Sequence, residues 1–582
     1  MKKTWFGIGF LGIFLSLFFF YPFLSHINAL GIQDWDYFMA SNEFTRISLL
    51  TFKQFPLWNP YHCGGFPHFA NPEISVVSIH ILFVLLFGTV VGIKISILFH
   101  SILAFIGFFL LSKHYKLSSF GALFASLLFT FSGITGSFLF GGMISFIIFS
   151  YTPFIVLFYI KGEMNRIWIF VSALIFSLGY YYGYHVPLPL MVFIFFYSFI
   201  QLIRTKNSIH IWNFIAFTLL FILFCLPKLL LSFQLLSLYP RISNDFSGYT
   251  IPGLFYFLLS HRQNLFGDMG TTGYTYGIDE NSLYVGIVPF LLFCFFSIRN
   301  GKQVKKHLLL IVLLICMVFL MLGNQILPSL YNLLKTLPFF SSFRVAQRFR
   351  FDFIIPFALL AGMGLDRLLS LKIVKQYRQP LFIGIFLFVF IDLMIFNQRN
   401  FLSKTLILKN ITKESPRQFK QTAFFSDAIE YYPNSIPRDF EHTKIFEPWS
   451  AEYKALRNNI GVINCSYTLT GTVAAISSTN SAYKGEWYTQ QDSRVISLIK
   501  WTPQEISLSL AKKNSQLKED ILILNQNYFP GWYVKRGTML TEAENTNGLI
   551  STRIHEEKTI QFIYLPYRAL GKGFLTIFHI MR

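Results

Sequence analysis

The stretch Ser75-Val76-Val77-Ser78-Ile79-His80-Ile81-Leu82-Phe83-Val84-Leu85-Leu86-Phe87-Gly88-Thr89-Val90-Val91 decides the fold, because every later loop changes side of the membrane if it crosses. Around it, residues 1–400 carry apolar runs of roughly 17–22 residues, each able to cross a hydrocarbon core of about 30 Å as a helix. These runs are 5–24, 93–111, 119–140, 143–160, 167–184, 188–203, 211–230, 283–298, 307–323, 351–371 and 380–396. The basic residues arbitrate. If 75–91 does not cross, one side receives Lys2, Lys3, Lys113, Lys116, Lys161, Arg166, Arg204, Lys206, Arg299, Lys302, Lys305, Lys306, Lys372, Lys375 and Arg378. The short loops 141–142 and 185–187 on the other side then hold neither Lys nor Arg. Cytoplasmic loops are the ones enriched in such residues. The segment 75–91 is therefore expected to be re-entrant or interfacial, its ends covered by protein or a cavity.

The expected fold is a mainly α polytopic membrane protein of about eleven transmembrane helices plus that re-entrant or interfacial helix. The N-terminus is inside, and the first run reads as an uncleaved span, too long for a signal peptide. Four segments then face out: 25–92, 231–282, 324–350 and the tail from Asn397. Residues 1–400 form the membrane domain and residues 401–582 an extracytoplasmic domain. Short alternating runs at Gly461–Ile476, Arg494–Ile499, Ile506–Leu510, Asp520–Leu524, Gly548–Ile554 and Thr559–Tyr564 predict a β-rich, sandwich-like tail.

Composition agrees. The 582 residues are 53% hydrophobic and 13% charged, with 71 phenylalanines, and the mean hydropathy is +0.50; soluble domains carry about 25% charged residues. The net charge of +21 sits in short loops between apolar runs, so it orients the chain and excludes a nucleic-acid partner. Of the five cysteines, Cys225, Cys294 and Cys316 lie in apolar spans. Cys63 and Cys465 fall on the outer side, and spacing alone does not pair them.

Three outer stretches carry chemistry. Gly31-Ile32-Gln33-Asp34-Trp35-Asp36-Tyr37 holds two carboxylates one residue apart. Together they could hold a divalent cation (Mg2+ or Mn2+), one could act as a base, or Asp36 could cap a helix over Phe38–Phe52. The loop Gln54–Glu73, with four prolines, offers Trp58, Asn59, His62 and Glu73 for a substrate, and His62, His68 and Glu73 as metal ligands. Its aromatics suit either a sugar ring or the membrane interface. Phe343-Arg344-Val345-Ala346-Gln347-Arg348-Phe349-Arg350 is a basic cluster on the side where positive charge is unusual. Arg344, Arg348 and Arg350 there fit anionic headgroups or a phosphate clamp. His185 reads as a structural histidine. In the loop 231–282, Arg241, Asp245, His261, Arg262, Asp268, Asp279 and Glu280 show no informative spacing.

Together these residues resemble the GT-C superfamily of polytopic glycosyltransferases, most closely its YfhO-like bacterial branch. The resemblance rests on Gln33-Asp34-Trp35-Asp36 after the first span with the Phe55–Asn59, Gly64-Gly65 and Ala70–Glu73 segments, on Phe343–Phe351 before a late span, and on Asn527-Tyr528-Phe529-Pro530-Gly531-Trp532-Tyr533. One departure is that Tyr567–Arg582 is too short and polar to cross, where many relatives end in another membrane helix. The resemblance implies hexosyl or pentosyl transfer from a polyprenyl-phosphate donor to an envelope glycan, lipid or protein acceptor at the bacterial inner membrane. It also implies Asp34 or Asp36 as the catalytic or metal-associated carboxylate. Two other classes are a non-catalytic glycan-binding membrane subunit and a lipid or glycolipid flippase; the chain lacks the repeated halves common in transporters.

Overall fold

The computed structural model describes residues 2–239, 248–263, 277–298, 307–337, 340–341, 343–407, 425–426, 451–457, 461–463, 474–476, 480–513 and 519–570. The chain is mostly helical, with a β-sheet region near its C-terminal end. Among the described residues, six helices are long and apolar enough to cross a membrane: Thr89–His114, Ser119–Phe140, Ile144–Lys161, Pro187–Thr205, Ile209–Leu238 and Lys375–Lys404. Shorter apolar helices, Gly7–Phe19, Ile167–Tyr182, Ile287–Phe296 and Leu308–Met321, occupy four more of the expected runs. The remaining run forms Arg350–Leu369, which carries Arg350, Asp352, Asp366 and Arg367. One of these charges has a local cause. Asp366 accepts hydrogen bonds from the backbone N–H of Ser118 (2.7 Å) and Gly121 (3.0 Å), so it satisfies the open N-terminus of the helix beginning at Ser119.

The deciding segment resolves into a helix of nine residues, Ile79–Phe87, with the Ser78 hydroxyl accepting from Ile81 N–H at its start. Nine residues rise about 14 Å, less than half the hydrocarbon thickness. This helix cannot cross alone. Thr89–His114 follows after Gly88 and packs back along it, His80 Nδ1 lying 2.9 Å from Ser96 Oγ.

The C-terminal region contains two antiparallel sheets. One orders its strands Met539–Glu542, Trp532–Arg536, Thr559–Tyr564, Glu505–Lys512, Arg494–Thr502; the other orders them Glu544–Thr546, Leu549–Ile554, Asp520–Asn527, Trp487–Thr489. Five of the predicted runs contain a strand at their positions. Gly461–Ile476 does not extend as a strand: only Gly461–Val462 pairs, in parallel with Phe425–Ser426, and 464–473 lie outside the described residues. The four strands at 487–489, 532–536, 539–542 and 544–546 were not read from the sequence. The tail end, 571–582, is also outside the described residues.

The first long loop is sewn into this β region. Leu30–Gly31 pairs antiparallel with Leu406–Ile407. Val462 N–H donates to Tyr61 O (3.0 Å), Gly64 N–H to Val462 O (3.0 Å) and Asn527 N–H to Gly64 O (2.7 Å). Trp58 is fully buried, its Nε1 donating to Gln526 Oε1 (2.8 Å) and its ring packing on Trp532 (5.4 Å) and Tyr564 (5.0 Å). The Tyr528–Tyr533 motif thereby acquires a physical reason. Gly531 sits at φ +116°, where a Cβ would come within 2.8 Å of Pro566 Cα, and this turn delivers Trp532 to Trp58. Cys63, in the same loop, is disulfide-bonded. Cys225 is buried, and it, Cys294 and Cys316 are free thiols, while Cys465 lies outside the described residues.

Trp58→Ala is expected to cost about 3–5 kcal/mol, the range for buried Trp truncations. Limited proteolysis of the purified protein should then cut the β region faster while the helical part stays protected.

Candidate active site

The loop helix runs Trp35–Leu50, three residues earlier than its predicted start. Asp36 therefore lies inside its first turn and is not its cap. It caps another helix: Asp36 Oδ2 accepts from Glu452 N–H and Oδ1 from Tyr453 N–H, both 2.9 Å, at the start of Ala451–Arg457. Two turns on, fully buried Glu43 receives Arg46 Nε and Nη2 (2.9 Å each), Arg457 Nη1 (3.1 Å) and the Thr89 hydroxyl. Burial opposes ionisation of Glu43, but these donors more than offset it and hold the carboxyl below its usual range. Asp36 and Glu43 thus grip the Ala451–Arg457 helix at its two ends.

Asp34 looks elsewhere. It is the N-cap residue of Trp35–Leu50, yet its side chain makes no capping bond. Its backbone rests on the Gly141–Gly142 turn, Asp34 N–H donating to Gly141 O (3.3 Å). Gly142 has φ +78°, and a side chain there would strike the backbone of Asp34 and Trp35. The same turn approaches Asp279, since a Cβ on Gly141 would lie 3.0 Å from Asp279 Oδ2. Trp35 locks the corner by donating Nε1–H to Leu139 O (2.7 Å).

Beside Asp34 stands a chain of buried polar groups drawn from four parts of the sequence. Arg348 Nε donates to Glu280 Oε1 (3.1 Å) and Oε2 (3.2 Å), and its Nη2 also reaches Glu280 Oε1. Arg348 Nη1 lies 2.7 Å from His185 Nδ1. A guanidinium can only donate, so Nδ1 accepts and the imidazole is neutral with its hydrogen on Nε2. That Nε2 donates to Glu73 Oε1 (3.0 Å). The Arg348 guanidinium lies 5.1 Å from the Phe146 ring centre, so one face is covered by an aromatic. Arg350, fully buried, donates Nη1 to Ser282 O (3.1 Å) and Nη2 to Asp279 O (2.7 Å), fixing the segment that presents both acids. Asn71 holds the other end: its Nδ2 donates to Tyr37 OH (2.7 Å) and its Oδ1 accepts from Glu73 N–H (2.9 Å).

These charges set the protonation of Asp34. Burial first, then the negative charges of Glu73, Asp279 and Glu280, push its carboxyl up to about 7, with Arg348 pulling the other way. Asp279 is pushed up to about 6 by burial and Glu280, against Arg350 and Arg348. Glu280 stays below the usual range because Arg348 and Arg350 outweigh its burial. Asp34 and Asp279 keep partial exposure, whereas Glu73 and Glu280 are buried. A part-exposed carboxyl that titrates near neutrality, among acids with different protonation, has the character of an acid–base group. Asp36 lies in a separate field, raised by burial and Glu452.

Of the sequence candidates, the structure brings together Asp34, Glu73, Arg348 and Arg350. Arg344 is part-exposed on the segment leading to Arg348. Trp58 and Asn59 are buried in the loop, Asn59 Oδ1 accepting from Tyr61 N–H (2.9 Å). His62 Nδ1 lies 3.6 Å from Glu452, and His68 Nε2 lies 3.0 Å from Thr45 Oγ1. Among the described residues no group of three or more His, Cys, Asp or Glu side chains could hold a metal ion. With both Asp36 oxygens taken by backbone donors, Asp34 and Asp36 do not fit a shared divalent cation. Asp279, Glu280 and His185 were not singled out for the site from the sequence. The Gly141-Gly142 pair between two apolar runs was the one local hint.

Asp34 also leaves a mark on stability. Between its ordinary value near 4 and its folded value near 7, the folded protein keeps a proton that the unfolded chain has released. Stability therefore falls as pH rises through that window. Asp34→Asn removes the penalty: in detergent it is expected to unfold at a higher temperature than wild type at pH 8, by on the order of 2 kcal/mol after solvent screening. The two proteins should unfold alike at pH 4.

No protein-family model matches the chain, and no curated protein matches it in sequence.

Proposed function

We propose that this chain is a membrane glycosyltransferase of the GT-C kind, moving a sugar from a polyprenyl-phosphate donor to an extracytoplasmic glycan, lipid or protein acceptor. The observation that carries this reading is Asp34, a part-exposed carboxyl at the corner of the acid cluster, pushed up to about 7 by burial and then by Glu73, Asp279 and Glu280. The reading completes the architecture as eleven spans with the N-terminus inside, and treats the two sheets as an extracytoplasmic sandwich. Two features support that orientation. Lys113, Lys161 and Arg204 lie in the last turns of apolar helices, with Lys116, Lys206 and Lys372 in short connections and Lys375 opening the next helix, and Cys63 in the loop that bears Asp34 is disulfide-bonded, a state that persists in oxidising compartments.

In the proposed reaction Asp34 takes the proton of an acceptor hydroxyl as its oxygen attacks the anomeric carbon. The bond from that carbon to the donor phosphate oxygen breaks, and its electron pair leaves with the phosphate. Arg344 on the approach meets this growing charge. Arg348 and Arg350 keep the acid cluster assembled through their bonds to Glu280, His185 and the backbone carbonyls of Asp279 and Ser282. A base must be ionised to act, so the rate should rise with pH and level off above about 7.

Membranes from cells producing Asp34→Asn protein should show transfer reduced by roughly 10²–10⁴-fold, the usual worth of a general base, with expression intact. Asp36→Asn should lose activity only in proportion to lost folded protein. Unchanged transfer with Asp34→Asn would shift the role to glycan binding, and lipid movement in proteoliposomes without sugar transfer would shift it to a flippase.

A further inference from the structure

Asp392 is the side chain least explained by the site above. It lies within Arg378–Asn400, part of one of the six helices long and apolar enough to cross a membrane, fourteen residues from its start and eight from its end. An acid at that depth is costly and faces a cavity or a partner when it is kept. Asp392 still has a quarter of its side chain exposed (25%). Tyr284 OH donates to Oδ2 (2.9 Å), and that phenol is fixed by stacking on Phe396 at 4.0 Å. Among the described residues, the other oxygen, Oδ1, has only His261 Nε2 at 3.8 Å, beyond hydrogen-bond reach.

Immediately below this acid runs an apolar groove of about 450 Å3 between Ile287–Ile298 and Arg378–Asn400, lined by Val288, Tyr377, Leu381, Gly384, Ile385 and Phe388. That volume falls in the range of roughly 300–1,000 Å3 usual for small-ligand sites. Phe388 precedes Asp392 by one helical turn and so shares its face. On the facing element, a Cβ on Gly286 would lie 2.7 Å from Asp392 Oδ2, two residues before Val288. The acid therefore lies one helical turn beyond Phe388, just past one end of a groove that is apolar along its length.

We propose that this surface binds a membrane lipid carrying a primary ammonium in its head group, its chain lying in the groove and its ammonium donating to Asp392 Oδ1. The charge is complementary, the head supplies the N–H donor that Oδ1 lacks, and a purely anionic head would be repelled. Arg262, exposed and next in sequence to His261, suits the phosphate of such a zwitterion. The proposal uses neither Asp34 nor the transfer reading.

The test is native mass spectrometry of the full-length protein, delipidated and then titrated with phosphatidylethanolamine or phosphatidylglycerol of identical chains. Wild type is expected to prefer the ethanolamine lipid about tenfold, the worth of one charge-assisted hydrogen bond. Asp392→Asn, nearly isosteric, should lose that preference. Gly384→Leu, at a position where a Cβ meets nothing within 4 Å, should fill the groove and lower occupancy by both lipids. Equal binding of the two heads by wild type, or a preference that survives in Asp392→Asn, would overturn the proposal.

Discussion

A guanidinium taken out of water has to be paired, and in this protein Arg348 is paired twice. Its fork holds Glu280 and its remaining nitrogen faces His185, which passes the contact on to Glu73. Breaking a buried ion pair by removing one partner costs about 3–5 kcal/mol, so this chain constrains where four segments can go. The loop before Arg350–Leu369, the short helix Ile278–Asn281, the Gly183–Val186 link and the end of the first long loop must converge at one end of the helical bundle. Asp34 is brought against that convergence by the Gly141–Gly142 turn. Its shifted protonation follows from burial first, and then from the carboxylates of Glu73, Asp279 and Glu280 against the single pull of Arg348.

The β region depends on the same first loop. Trp58 against Trp532, and the gripping of Ala451–Arg457 by Asp36 and Glu43, tie strands formed late in the chain to a helix formed early. The loop is therefore a joint with two faces. One face, bearing Asp36, Glu43 and Trp58, is structural and holds the β region. The other, bearing Asp34 and Glu73, lines the acid cluster. Asp34 and Asp36 are two residues apart on a chain just entering a helix, so their side chains point in well-separated directions.

That geometry explains what could be read in advance. Apolar run length and the placement of lysines and arginines are local properties, and they located the helices and argued that Ser75–Val91 does not cross. Alternation located five strands, whereas Trp532–Arg536 and Met539–Glu542 carry too little alternation to stand out. Which aspartate faces the cluster was not legible, because the N–H groups that occupy Asp36 come from residues 416 and 417 positions further on. Asp279 and Glu280 looked like ordinary loop acids for the same reason: only folding brings Arg348 and Arg350 to them. Trp58 read first as an interface anchor and second as a sugar platform until its burial against Trp532 was seen.

The most direct measurement is the infrared carboxyl band of Asp34, taken as the difference between wild type and Asp34→Asn in reconstituted membranes across a pH series. A protonated-acid band that disappears with a midpoint of about 7, and whose midpoint drops when Glu73 is replaced by Gln, is the result this account predicts. A midpoint near the ordinary carboxylate value of about 4, unmoved by that replacement, would contradict it.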